Sequence, residues 1–135
     1  MRKIYIIGSL RDPKVPEIAA SIREDGHDVF DDWFAAGEIA DDRWMAYEQT
    51  YRKRTLAGAL GGRAARHVFE FDKTWLDWAD TAVLVLPAGK SAHLELGYMI
   101  GKGKKGYVLL DGEPERYDVM YQFADGVYTD LDELR

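Results

Sequence analysis

The segment that most narrows what this chain can fold into is Thr81-Ala82-Val83-Leu84-Val85-Leu86, an apolar and β-branched run with no polar residue alternating through it. A strand with one wet face alternates apolar and polar residues; an unbroken run is expected of a strand covered on both faces, the centre of a parallel sheet. Pro87 ends the run. A central strand of this kind requires helices above and below it, so the flanking sequence should alternate between period 2 and period 3.6.

It does. Lys3 to Ile7 is a short β-rich run closed by Gly8-Ser9, and Pro13 to Asp25 has helical spacing through Val15, Ile18, Ala19 and Ile22. Gly26-His27 breaks that helix. Asp28-Val29-Phe30 reads as a second strand entering an acidic loop, Asp31-Asp32-Trp33. Two helices are expected next, from about Asp42 to Leu60 and from about Arg63 to Trp78, parted by Gly61-Gly62. After the central strand and the loop Ala88-Gly89-Lys90, Ser91 is a good N-cap for a helix from Ala92 to Ile100, and Gly101-Lys102-Gly103 closes it before a strand from Gly106 to Leu110. The tail from Tyr117 predicts a short helix, a strand near Val127-Tyr128 and a final turn. Strands alternating with helices imply an α/β fold with a doubly wound, mostly parallel sheet and helices on both faces.

Length and charge set further bounds. At 135 residues, 47% hydrophobic, the chain can bury one sizeable core but not two, so a single domain over 1–135 is expected. With no cysteine there is no disulfide, thiolate metal site or cysteine nucleophile. The apolar run before Gly8 is too short for a secretory or membrane segment, which predicts a soluble, cytoplasmic protein. A formal charge of −6 repels polyanions, so no nucleic-acid polymer is expected as partner, whereas a small anion held at helix N-termini stays compatible. His27, His67 and His93 have no metal-ligand spacing, and neither a metal nor another cofactor is expected.

Two acids look out of place. Val68, Asp72, Trp75 and Ala79 fall at i, i+4, i+7 and i+11, which sets the Asp72 carboxylate inside an apolar helical stripe. An aspartate at the stripe's edge, paired with Lys73 or Arg66, fits the same pattern. Glu95 lies in Ala92-His93-Leu94-Glu95-Leu96-Gly97-Tyr98, a helix apolar on nearly every side. Burial would raise its pKa, and a place in the first turn would favour the anion; a carboxylate that merely stabilises the helix start is the alternative. Gly8-Ser9-Leu10-Arg11, just after the first strand, and Gly89 with Ser91, at a helix start, are candidate anion cradles, although turn geometry and N-capping account for the same residues. Trp33 follows a strand on the edge where open α/β sheets bind ligands.

Taken together, Ile4-Tyr5-Ile6-Ile7-Gly8-Ser9, Asp72, Ala79-Asp80 leading into Val83-Leu84-Val85-Leu86-Pro87, Leu94-Glu95-Leu96-Gly97-Tyr98 and Lys105-Gly106-Tyr107-Val108-Leu109-Leu110 resemble the nucleoside 2-deoxyribosyltransferase family and its relatives, the deoxynucleoside monophosphate N-glycosidases. The resemblance runs from residue 3 to about 125. It implies a flavodoxin- or Rossmann-like sheet, Glu95 as nucleophile, Asp72 near the nucleobase and Tyr5 positioning the nucleophile. Gly8, Ser9, Arg11, Gly89 and Ser91, with Trp33 on the same edge, are then the expected substrate contacts. The resemblance also implies a site completed by a neighbouring subunit, the matching stretch being Asp118-Val119-Met120-Tyr121, hence at least a homodimer. The transferases carry an aspartate where this chain has Gly89-Lys90-Ser91. That serine, with Gly8-Ser9-Leu10-Arg11, is closer to the phosphate-recognising hydrolases and favours a 5′-monophosphate, while the long insertion from Ala40 to Arg66 bears on the pocket.

The implied activity is cleavage or transfer of an N-glycosidic bond of a nucleoside or its 5′-monophosphate through a glycosyl-Glu95 intermediate. A non-catalytic nucleotide-sensing module and an N-glycohydrolase of a larger nucleotide such as NAD are the competing readings. Two acids in an apolar setting favour the enzyme.

Overall fold

The computed structural model describes residues 1–134. Five strands form one sheet: β1 (Lys3–Ile7), β2 (Asp28–Phe30), β3 (Thr81–Val85), β4 (Lys105–Leu109) and β5 (Gly126–Tyr128). They lie in the order β2-β1-β3-β4-β5 and every neighbouring pair is parallel. This is the flavodoxin-like doubly wound order, with β3 central and buried along its whole length, as its unbroken apolar run requires. The edge strands β2 and β5 are only three residues each.

Alternation along β1 splits the core into two layers. Ile4 and Ile6 pack with Val15, Ala19 and Ile22 of α1 (Lys14–Glu24) and with Leu131 and Leu134 of the last short helix. Tyr5 and Ile7 point the other way, onto Leu76 of α4 (Arg63–Trp78) and Ala92, Leu96 and Met99 of α5 (Lys90–Gly101). Gly106 in β4 is a packing requirement: a Cβ there would stand 2.8 Å from Ile100 Cγ1, so α5 lies against bare backbone.

Three expectations need correction. The helix foreseen from Asp42 to Leu60 is two helices, α2 (Ala40–Thr50) and α3 (Leu56–Leu60). The chain folds back between them, with the Arg54 amide donating to the Glu48 carbonyl (3.0 Å), Lys53 in the left-handed region (φ 52) and Thr55 capping α3. No glycine or proline marks the break. Ser91 is not the cap of α5: Gly89 is, and Ser91 is an exposed residue of its first turn. Nor is α5 enclosed on all sides, since Leu94 is 75% exposed. In the tail a 3₁₀ turn (Val119–Phe123), β5 and α6 (Leu131–Leu134) stand where a helix, a strand and a turn were expected.

Candidate active site

β1 and β3 deliver Gly8 and Gly89 to the carboxyl edge of the sheet, and the side of β1 that carries Tyr5 faces α5. There the Tyr5 hydroxyl, on a residue 1% exposed, donates to Glu95 Oε2 at 3.1 Å. Burial pushes the Glu95 carboxyl up to about 7; the charge of Asp72 adds to the rise and the Tyr5 hydrogen bond opposes it. Asp72 is raised to about 6, first by burial and then by the charge of Asp41. The Tyr5 phenol is also raised, by burial and then by Glu95 and Asp72. Tyr5, Glu95 and Asp72 therefore form one electrostatic unit.

The start of α5 explains why Glu95 departs from an ionised helix-start carboxylate. With Gly89 as cap, Glu95 is the sixth helical residue, beyond the turn whose free N–H groups stabilise an anion. Burial then prevails. The partner that an edge-of-stripe Asp72 was expected to have is engaged elsewhere: Lys73 pairs with Asp77 (2.9 Å), and among the described residues no ion pair engages Asp72.

The candidate ligand contacts fare differently. The Ser9 Oγ accepts from the Arg11 amide (3.1 Å), bracing the turn after β1. The Arg11 guanidinium pairs with Asp42 at the start of α2 (3.0 Å), with both side chains well exposed. Such a pair contributes less than about 1 kcal/mol, so an incoming anion can displace Asp42. Trp33 does not stand free in a loop. It sits in a 3₁₀ turn (Asp32–Ala36), its indole N–H donates to the Ile6 carbonyl (2.8 Å), and its ring packs on both core layers. Gly89 and Ser91 are exposed at the start of α5, and Met120 is 61% exposed.

Two features went unread in the sequence. His93 bonds both the Gly89 carbonyl (2.7 Å) and the Tyr121 hydroxyl (2.8 Å), tying the Met120 turn to the mouth of α5. Phe30 stacks on Trp75 (4.7 Å between centroids, 6° between planes) and meets Tyr5 and the half-exposed Phe71, a run of aromatics leading from Glu95 outward. A cavity of about 300 Å³ lies elsewhere, near Arg2, His27, Thr81 and Leu134 at the amino ends of the strands, and it contains no paired acids. Among the described residues no three acids or histidines converge as a metal site, and no helix is long and apolar enough to cross a membrane.

No protein-family profile and no curated protein sequence matches the chain. Solved structures do. A 2-deoxyribosyltransferase from the psychrotolerant bacterium Bacillus psychrosaccharolyticus superposes with a TM-score of 0.62 over 97% of this chain and 88% of its own, at 18% identity. The Clostridium botulinum CMP N-glycosidase BcmB gives 0.58 over 98% of this chain and 95% of its own, at 14% identity. The chain has their fold. Coverage of nearly the whole length on both sides means that the 2-deoxyribosyltransferase-like fold here includes the C-terminal turn and β5, not the sheet centre alone.

Proposed function

We propose that this protein cleaves or transfers the N-glycosidic bond of a nucleoside or its 5′-monophosphate, with Glu95 as nucleophile. The observation that carries the reading is the Tyr5–Glu95 hydrogen bond beside Asp72, two half-buried acids of raised pKa at the ligand-binding edge of a sheet whose solved likenesses include a deoxyribosyltransferase and a nucleotide N-glycosidase. In the first step a Glu95 oxygen attacks C1′, the C1′–N bond breaks, and the departing base takes the Asp72 proton. In the second, water or another base attacks C1′, its proton returns to Asp72, and Glu95 leaves as the carboxylate. Phe71, at the exposed end of the aromatic run, is a candidate stacking surface for the base.

Gly8, Ser9, Arg11, Gly89 and Ser91 border the same edge and suit the sugar or its 5′-phosphate. A second copy is expected to cover Leu94, Val119, Met120 and Phe123, exposed apolar residues on α5 and on the turn tied to it by His93. Leu94→Glu with Phe123→Glu should then convert a dimer to a monomer in sedimentation analysis; a parent protein already monomeric at 100 µM or so would refute this part.

Chromatography of reactions with deoxynucleosides, their 5′-monophosphates and NAD, with and without a second free base, tests the activity. Released base means hydrolysis and a new nucleoside means transfer. No turnover of any substrate would leave a nucleotide-binding module. Tyr5→Phe removes the one contact that lowers the Glu95 pKa, so the acidic limb of the kcat/KM profile should move to higher pH, with a loss of about tenfold at pH 6.

A further inference from the structure

The segment joining α2 to α4 brings three arginines to one place. Arg52, Arg54 and Arg63 line a cavity of about 270 Å³ whose remaining wall is the backbone of Gly61 and Gly62. Arg54 is fixed. Its guanidinium stands 3.6 Å from the Glu48 carboxylate, which is 3% exposed and receives no hydrogen bond on either oxygen, so the buried charge of Glu48 depends on Arg54 staying in place. The same guanidinium lies against the backbone that opens α4: a Cβ on Gly62 would stand 2.3 Å from Arg54 Nη1. Gly62 caps α4 without a side-chain hydrogen bond, which leaves the first-turn amides of this 16-residue helix free. Arg52 and Arg63 have no carboxylate partner among the described residues. Three guanidinium groups against one carboxylate give a local surplus of positive charge in a protein of net charge −6.

We propose that Arg52, Arg54 and Arg63, with the free amides of the first turn of α4, form a binding site for a phosphate-group dianion, distinct from the Glu95 centre. The chemistry is specific in kind: guanidinium forks and helix-start N–H groups both match tetrahedral oxyanions. The cavity accommodates one phosphate group with part of what it is attached to. Arg63 precedes Asp72 by nine residues on the same helix, a separation of roughly 14 Å at about 1.5 Å per residue, too far for the 5′-phosphate of a nucleotide whose base sits at Asp72. The site therefore takes a second anion. Its occupancy braces α2, which carries the Asp41 and Asp42 that act on Asp72 and Arg11.

The test is an amide-shift NMR titration of the full chain with inorganic phosphate at constant ionic strength, repeated with a nucleoside 5′-monophosphate. Saturable shifts at Gly61, Gly62, Arg63 and Ala64, with a Kd of about 1 mM or tighter, are expected. They should weaken at least tenfold in Arg52→Gln/Arg63→Gln, whose replaced side chains are exposed, and persist in Glu95→Ala, which separates this site from the proposed reaction centre. Binding by the free ion alone or by the ester as well supports the site and tells which carries the phosphate. Shifts that grow linearly, that chloride reproduces, or that survive in the double variant would overturn it.

Discussion

Glu95→Ala is expected to lower kcat/KM on the best substrate by at least about 10⁴-fold, the scale of removing a nucleophile whose partners remain in place. Tyr5 loses its hydrogen-bond partner in the variant but the residues that line the edge remain, so substrate binding should persist while turnover fails. A residual rate within tenfold of the parent would remove Glu95 from the chemistry. The isosteric Glu95→Gln isolates a second consequence. A carboxyl raised from the ordinary 4.5 to about 7 favours the folded state while protonated; that contribution is complete below about pH 4.5 and is lost as pH rises through about 7. Glutamine has no charge to bury. At pH 8 the variant should be more stable than the parent by roughly 1–3 kcal/mol in denaturant titrations, and the gain should vanish near pH 4. An inactive protein more stable than its parent only at alkaline pH is what a functional buried carboxylate predicts and a structural one does not.

Asp72→Asn is the second large effect, a loss of about 10²–10³-fold in kcat/KM, the usual scale of general-acid catalysis. Its pH dependence is more telling than its size. Glu95, raised to about 7, and Asp72, raised to about 6, share one proton over roughly that window; the proton favours Glu95, so the productive arrangement, a charged Glu95 beside a protonated Asp72, is the minority form of the singly protonated pair. Below the window both acids are protonated and the nucleophile is quenched; above it both are ionised and the leaving base finds no acid. The parent should give a bell with its maximum between about pH 6 and 7. Asparagine cannot ionise, so the variant should keep the acidic limb and lose the alkaline one. An unchanged bell would assign the alkaline limb to another group.

Residues whose roles follow from local pattern were the readable ones. The unbroken run at Thr81–Leu86 placed the central strand, and the 3.6-residue stripe picked out Asp72 as an acid among apolar neighbours. What decides the charge state of Glu95 was not readable: a shift of the α5 cap from Ser91 to Gly89 moves Glu95 from the stabilised first turn into the second, and serine is a common cap that here goes unused. The break between α2 and α3 rests on a left-handed Lys53, a conformation that lysine's sequence neighbours do not announce. Contacts between residues far apart in the chain, such as Arg11 with Asp42 and His93 with Tyr121, leave no periodic trace in a single sequence. The indole of Trp33 was placed on the right edge, yet its bond to Ile6 shows it serving the core as well.

Short strands bound the sheet on both sides, and this limits how copies of the molecule can associate. An open edge long enough to present several unpaired N–H and C=O groups invites a neighbouring chain to extend the sheet; three residues at β2 and three at β5 offer almost no such template. Continuous inter-subunit sheets and strand-exchanged fibrils are thereby disfavoured, and self-association is steered onto helical faces, where its geometry is set by side-chain fit rather than by backbone pairing.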